Sequence, residues 1–262
     1  MSPIAPPIRV CAVSFLNTSP LVWGLLHGPQ QGAFDLSFRL PAVCADEVAM
    51  GRADIGIIPA VELNSHDYAQ VAGLGIASRG PVRSILLATR KPLGEIRTLA
   101  ADTSSRTSVQ LARIILERRY GARPSIVPHA PDLDRMMAAA DAALIIGDPA
   151  LRIDPAALPY PAYDLGAEWT DMTGLPMVFA VWAGPKEMIR PEVEAIFQAS
   201  HAYGREHIED IIRLDAVPRG FTPEIARAYL TRHIICDLGP AEYEGLALYL
   251  RYAKSAAESR AV

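Results

Sequence analysis

The sequence predicts an α/β protein of two lobes with a ligand cleft between them. Three observations predict it. Short apolar runs alternate with proline-opened or amphipathic segments as far as Ala183. The alternation falls into two series, parted by a connection at Lys91-Pro92-Leu93-Gly94. From Pro191 onward only helical periodicity remains. Alternating strands and helices imply a mostly parallel sheet with covering helices. A chain of 262 residues suits two lobes of about 100–150 residues each.

The elements follow in order. Residues 8–13 read as a buried strand, and Pro20 opens a short helix that Gly28 ends. Thr18 or Ser19 is expected to cap that helix. Phe34 to Leu40 alternates as a half-buried strand does. Val43 to Met50 reads as a helix, Asp54 to Ile58 as a buried strand and Pro59 to Asn64 as a further helix. Val71–Ile76 and Ser84–Thr89 read as strands on either side of a Gly80-Pro81 turn. In the second series Thr98–Ala101 is a strand. Thr107–Tyr120 is a helix with Leu111, Ile114 and Ile115 on one face and Gly121 as its stop. Ser125–Val127, Ala142–Ile146 and Val178–Ala183 read as strands, with helices at 132–139, after Pro149 and at 169–173. Three helices close the chain, at 191–213, 223–231 and 240–256.

The crossings between lobes are expected near 86–94 and 180–186. This gives one lobe of residues 1–88 plus 185–262 and another of 89–184. Two crossings between two α/β lobes are the architecture of type-2 periplasmic-binding-protein folds, where ligands sit at strand carboxyl ends on helix N-termini.

The composition is 50% hydrophobic and 21% charged with a net charge of −4, so a large core is available and disorder is disfavoured. Scattered Lys and Arg give little support to a nucleic-acid partner. No apolar run approaches a membrane span, and the N-terminus has no charged-then-apolar secretory pattern. A cytoplasmic protein is expected. Cys11, Cys44 and Cys236 are too far apart for a metal knuckle. The six histidines make no close metal set, and GxSxG, Walker and GxGxxG motifs are missing. Neither a metal nor a cofactor is indicated.

The chemistry-bearing features are polar strand exits. The first strand runs into Asn17-Thr18-Ser19, another into Asp102-Thr103-Ser104-Ser105-Arg106-Thr107-Ser108, and a third into Gly147-Asp148 ahead of Pro149. The hydroxyls and amides at these positions have two jobs open to them. They cap the orphan N–H groups of a helix, or they join those groups in holding an anion. Five hydroxyls in the six residues 103–108 exceed what one cap needs. Arg106 among them suits bidentate contact with a carboxylate, or simple solvation. One such junction in each lobe fits a small ligand with two anionic groups.

Seven stretches then carry a resemblance. "VSFLNTSPL" (13–21), "GRADIGIIPAVEL" (51–63), "GPVRSILLATRKPL" (80–93), "SSRTSVQL" (104–111), "ALIIGDPAL" (143–151), "YDLGAEWTDMTGLPMVFAVW" (163–182) and "LTRHIICDLGPAEYEGLALYL" (230–250) occur in that order. Together they resemble the chorismate dehydratase (MqnA) family of the futalosine route to menaquinone, from about residue 8 to 253. Two features depart from it: Cys236 stands where an aromatic residue is expected, and the proline-bearing first seven residues are extra.

The resemblance implies a hydro-lyase that converts chorismate to 3-[(1-carboxyvinyl)oxy]benzoate and water, without a cofactor. It places Asn17 and Ser84 in catalysis. Thr18, Ser105, Arg106, Thr107, Ser108, Gly147, Asp148 and Pro176 are implied around the substrate. The reaction needs a base, a donor for the departing hydroxyl and a clamp for the carboxylates. The matched motifs are poor in bases. Asp148 and Glu62 are the side-chain candidates, and the substrate's own side-chain carboxylate, oriented by Ser84 and Asn17, is the preferred one. Two rival readings share the fold: 1,4-dihydroxy-6-naphthoate synthase of the same pathway, and a non-catalytic binder of small carboxylates. Oligomeric state is not legible.

Overall fold

A computed structural model describes residues 7–258. The first six residues, within the extra N-terminal stretch, lie outside the described residues.

The first lobe opens with β1 (Arg9–Val13), a 3₁₀ turn (Leu16–Thr18), α1 (Ser19–His27) and β2 (Asp35–Arg39). It continues through α2 (Pro41–Ala49), β3 (Ile55–Pro59), a 3₁₀ turn (Ala60–Asn64) and β4 (Ala69–Ser78). The second lobe holds β5 (Ile85–Thr89), β6 (Thr98–Asp102), α3 (Arg106–Tyr120), β7 (Ser125–His129), α4 (Leu133–Ala139), β8 (Ala142–Ile146), α5 (Gly147–Leu151), β9 (Ala162–Asp164) and α6 (Leu165–Thr173). The chain returns through β10 (Met177–Gly184), α7 (Pro191–Glu206) and α8 (Ile208–Ile211). A π-helical turn (Ile212–Ala216), α9 (Pro223–Ala228), a second π-helical turn (Tyr229–His233), β11 (Ile235–Asp237) and α10 (Pro240–Glu258) complete it.

One sheet has the order β11-β4-β10-β3-β1-β2, the other β7-β6-β8-β5-β9. Two α/β lobes are therefore present, but neither sheet is uniformly parallel. β1 runs parallel to β2 and β3, and β6 to β7 and β8. β10 is antiparallel to β3 and β4, and β5 to β8 and β9.

These two antiparallel strands move the lobe boundaries. Residues 85–88, assigned to the first lobe from sequence, pair in the second sheet, and 177–184, assigned to the second lobe, pair in the first. The chain crosses at 79–84 and 174–176 instead. β5 and β10 are buried at every position, so their apolar runs carry no alternation to say which sheet takes them. β10 is the spine of the larger sheet. Its Trp182 is fully buried against Phe197 of α7, with ring centroids 4.7 Å apart. Burying side chains of this size contributes about 1.5–3 kcal/mol each.

Helix ends follow local chemistry in the second lobe. Ser105 caps α3, its hydroxyl accepting from the Ser108 N–H, and Gly121 ends that helix at φ 70°. The expected cap on α1 is not made. Thr18 has helical dihedrals instead of the extended ones a capping side chain needs, because the 3₁₀ turn already leads into the helix. The Ser19 hydroxyl donates instead to Asp215 at 2.5 Å.

Candidate active site

The strand exits converge on a pocket of about 470 Å³, open mouth included, where the lobes meet. Asn17, Ser84, Ser105 and Ser108 are its hydrogen-bonding side chains. Phe15, Phe179, Val13, Ile76, Val82 and Ile146 supply apolar walls, and Gly147 contributes bare backbone. None of the described residues lining the pocket is ionisable.

Each polar side chain is held by its own element. Asn17 sits half-buried in the 3₁₀ turn after β1, its carbonyl 3.4 Å from the donating Thr18 hydroxyl. Ser105 and Ser108 face the pocket from the N-terminal turn of α3, their hydroxyls 3.0 Å apart. The positive end of that helix favours negative charge there. Ser84 follows the first crossing and is 2% exposed. Arg83, just before it, has φ 66°, a left-handed conformation rare outside glycine. Asp164 holds this turn: its carboxylate accepts from the N–H groups of Val82 (2.9 Å) and Arg83 (2.6 Å), and also from Gly166 and Ala167 at the start of α6. One carboxylate thus fixes the turn that aims Ser84 and caps the next helix.

Tyr229 stands behind Ser84. It is fully buried, and its hydroxyl donates to the Ser84 Oγ at 2.8 Å. Burial raises the phenol's pKa well above its ordinary value, with the Ser84 hydrogen bond pulling the other way.

Gly147 fits for two reasons. Its φ is 65°, and a Cβ there would lie 2.5–2.8 Å from the Phe15 ring. The aromatic wall of one lobe therefore packs directly on the backbone of the other.

Five residues expected around the substrate have their polar groups engaged elsewhere. Thr18 is buried behind Asn17. Arg106 reaches across to the first lobe, with Nη1 2.9 Å from Glu62 and Nη2 2.6 Å from Asp46. Those two carboxylates raise its already high pKa. Thr107 accepts at its hydroxyl from the Val61 N–H (3.2 Å) and at its carbonyl from the Tyr249 hydroxyl (3.1 Å). Asp148 accepts from the Leu16 N–H at 2.9 Å and from Arg219 at 3.0 Å. Pro176 lies in the second crossing, its carbonyl taking the Trp169 indole N–H at 3.1 Å. None of these five is among the residues lining this pocket, and those contacts hold their polar groups in the ligand-free structure. Arg106, Thr107 and Asp148 tie the lobes together around the pocket.

Glu62 is likewise committed. Besides Arg106 it faces His66 at 3.8 Å. Burial dominates at Asp148 and pushes its pKa up, against the opposing pull of the Leu16 N–H and Arg219.

Arg219 and Tyr229 escaped sequence reasoning. Tyr229 opens the second π-helical turn, within the segment read as an ordinary helix at 223–231, and Arg219 lies in the turn between that segment and the helix read at 191–213; π turns gather at functional sites. Asp164 did carry a signal, an Asp just before a helix start.

Against this geometry, the profile of a menaquinone-biosynthesis family matches residues 8–255. The chain belongs to that family. A chorismate dehydratase from Thermus thermophilus is 30% identical over 173 residues. The match covers 59% of this chain and 62% of that relative. Among solved structures, a protein from Archaeoglobus fulgidus superposes with a TM-score of 0.71 at 16% identity, covering 95% of this chain and 97% of its own. The aliphatic sulphonate binding protein SsuA of Escherichia coli does so at 0.66 and 18% identity, covering 98% and 94%. A Candida albicans protein described as having the generic periplasmic-binding-protein fold reaches 0.61 at 11%, covering 95% and 90%. The family member therefore has the periplasmic-binding-protein fold. Among the described residues no helix is long and apolar enough to cross a membrane, and no three His, Cys, Asp or Glu side chains are grouped to hold a metal.

Proposed function

We propose that this chain is a chorismate dehydratase, a carbon–oxygen lyase that forms 3-[(1-carboxyvinyl)oxy]benzoate and water. The observation that carries the reading is the pocket's composition in a member of a menaquinone-biosynthesis family: hydroxyls and one amide from both lobes, apolar walls and no ionisable side chain. The relative from Thermus thermophilus supports the substrate assignment.

The reaction removes a proton from the ring carbon that bears the enolpyruvyl ether and hydroxide from its neighbour. The carbon–hydrogen electron pair becomes ring π-bonding, the carbon–oxygen bond breaks, and aromaticity drives the step. Asp148 and Glu62 are both engaged away from the pocket, which favours the substrate's own side-chain carboxylate as the base. Ser84 and Asn17 hold that carboxylate and the departing hydroxyl, between apolar walls that strengthen each hydrogen bond. Ser105 and Ser108, at the positive end of α3, receive the other carboxylate.

The reading carries a cytoplasmic location with it. Incubation with chorismate tests the proposal. Loss of one water with growth of an aromatic chromophore is expected. Tight binding without turnover would favour a non-catalytic carboxylate binder, and no binding would overturn the assignment.

A further inference from the structure

We infer that Tyr229 is a positioning residue for this reaction, holding Ser84 with its hydroxyl proton turned toward the substrate. The inference rests on the dehydratase reading above. Its basis is a cluster drawn from three separate parts of the chain. Ser84 comes from the first crossing, Asn17 from the turn after β1, and Tyr229 from the second π-helical turn. Ser84 and Asn17 face the pocket, whereas Tyr229 does not line it.

The hydrogen-bond inventory sets the direction. A serine hydroxyl has one proton and two acceptor sites. The Tyr229 O–H occupies one acceptor site at 2.8 Å. Ser84 then keeps its own proton for donation, and the pocket is the open direction. With Tyr229 absent, Ser84 is free to turn that proton away from substrate. The phenol is well suited to the task. Its body is fully buried, so it cannot swing out, and burial keeps it protonated throughout the neutral range. The π turn supplies the extra residue per turn that shifts a helical side chain out of register, here at its first position, Tyr229.

The experiment is a double-mutant cycle on the full chain with chorismate, using Tyr229→Phe, Ser84→Ala and the pair. The Phe variant keeps the ring and its packing and removes one oxygen. A misdirected group in an active site costs on the order of 10²-fold. Tyr229→Phe is therefore expected to lower kcat about 10–100-fold with KM within about threefold and chorismate binding intact. In the Ser84→Ala background the same change is expected to cost under about threefold, because the partner it acts through is gone. Equal losses in both backgrounds would show that Tyr229 acts independently of Ser84 and overturn the inference, as would a Phe variant with wild-type kcat. A rise in KM alone would assign Tyr229 to ground-state binding and also overturn it. If the unmodified chain fails to turn over chorismate, the dehydratase reading falls and takes the inference with it. Wild-type turnover with an unimpaired Phe variant sinks the inference alone.

Discussion

Gly147→Ala separates the cost of a backbone conformation from the cost of closing the lobes. At φ 65° an alanine pays the left-handed penalty of about 1–2 kcal/mol, which falls on the second lobe's own fold. The new methyl also lies 2.5 Å from the Phe15 ring, about 1 Å inside ordinary carbon contact. Relieving that overlap costs about 1–3 kcal/mol. Phe15 belongs to the other lobe, so this second part falls on the closed arrangement. At 1.4 kcal/mol per tenfold, the closed-to-open ratio drops about 5–150-fold. The apparent affinity for chorismate follows the closed fraction. The expected result is a kcat/KM lowered about 10–100-fold and a Tm lowered by about 2–8 °C, given about 2–4 °C per kcal/mol for a chain of this size. Steady-state turnover and a thermal melt measure the two parts. Adding Phe15→Ala removes the overlap but not the backbone strain, so kcat/KM recovers in part while Tm does not. Full activity in Gly147→Ala, or no recovery in the double variant, would refute the reasoning.

Four further outcomes are expected. Asn17→Leu keeps the fold, since Asn17 makes one long hydrogen bond to Thr18, and loses about 10²–10³-fold in kcat as an oriented donor is removed; retained turnover would return the turn to a purely structural role. Glu62→Gln changes kcat by less than about tenfold if no protein carboxylate is the base, whereas a fall of about 10⁴-fold with intact binding would make it the base. Arg106→Ala leaves the largely buried Glu62 without its cation. It is expected to cost about 1–2 kcal/mol in a denaturant titration, reduced because Arg106 is half exposed, and to raise KM more than it lowers kcat. Asp148 gives a pH dependence. Its folded pKa is raised above 3.8, so the folded state binds the proton more readily than the unfolded. Its contribution to folding therefore improves as pH falls through that raised value toward 3.8, while the Arg219 tie between lobes is lost over the same window. Turnover should fall on the acid side at a higher pH than an ordinary aspartate would set, and Asp148→Asn should flatten that limb of the profile.

Much of the architecture was legible because local rules decided it. Gly121 stops α3 since the helix end needs a left-handed residue, and Ser105 caps its start because an extended serine meets an orphan N–H. β1 reads as a buried strand, and the hydroxyls after it and after β6 mark both sides of the pocket. The family resemblance was carried by motifs along nearly the whole chain. Where long-range pairing decides, the local pattern is silent. β5 and β10 are buried on both faces, so their allegiance to a sheet depends on partners far along the chain.

The site divides in the same way. Sequence alone determined which segments bring polar groups to strand ends, among them Asn17, Ser105 and Ser108. Tertiary structure decided which of those groups stay free for a ligand. Arg106 and Thr107 look as suited to an anion as their neighbours and Asp148 as suited to a ligand's donor, yet in the ligand-free structure each meets a partner from the opposite lobe: Glu62 and Asp46, the Val61 N–H, and Arg219. A polar side chain declares its chemistry in the sequence. Its vacancy depends on what the fold packs against it, and Tyr229 became visible only when a π turn set its hydroxyl against Ser84.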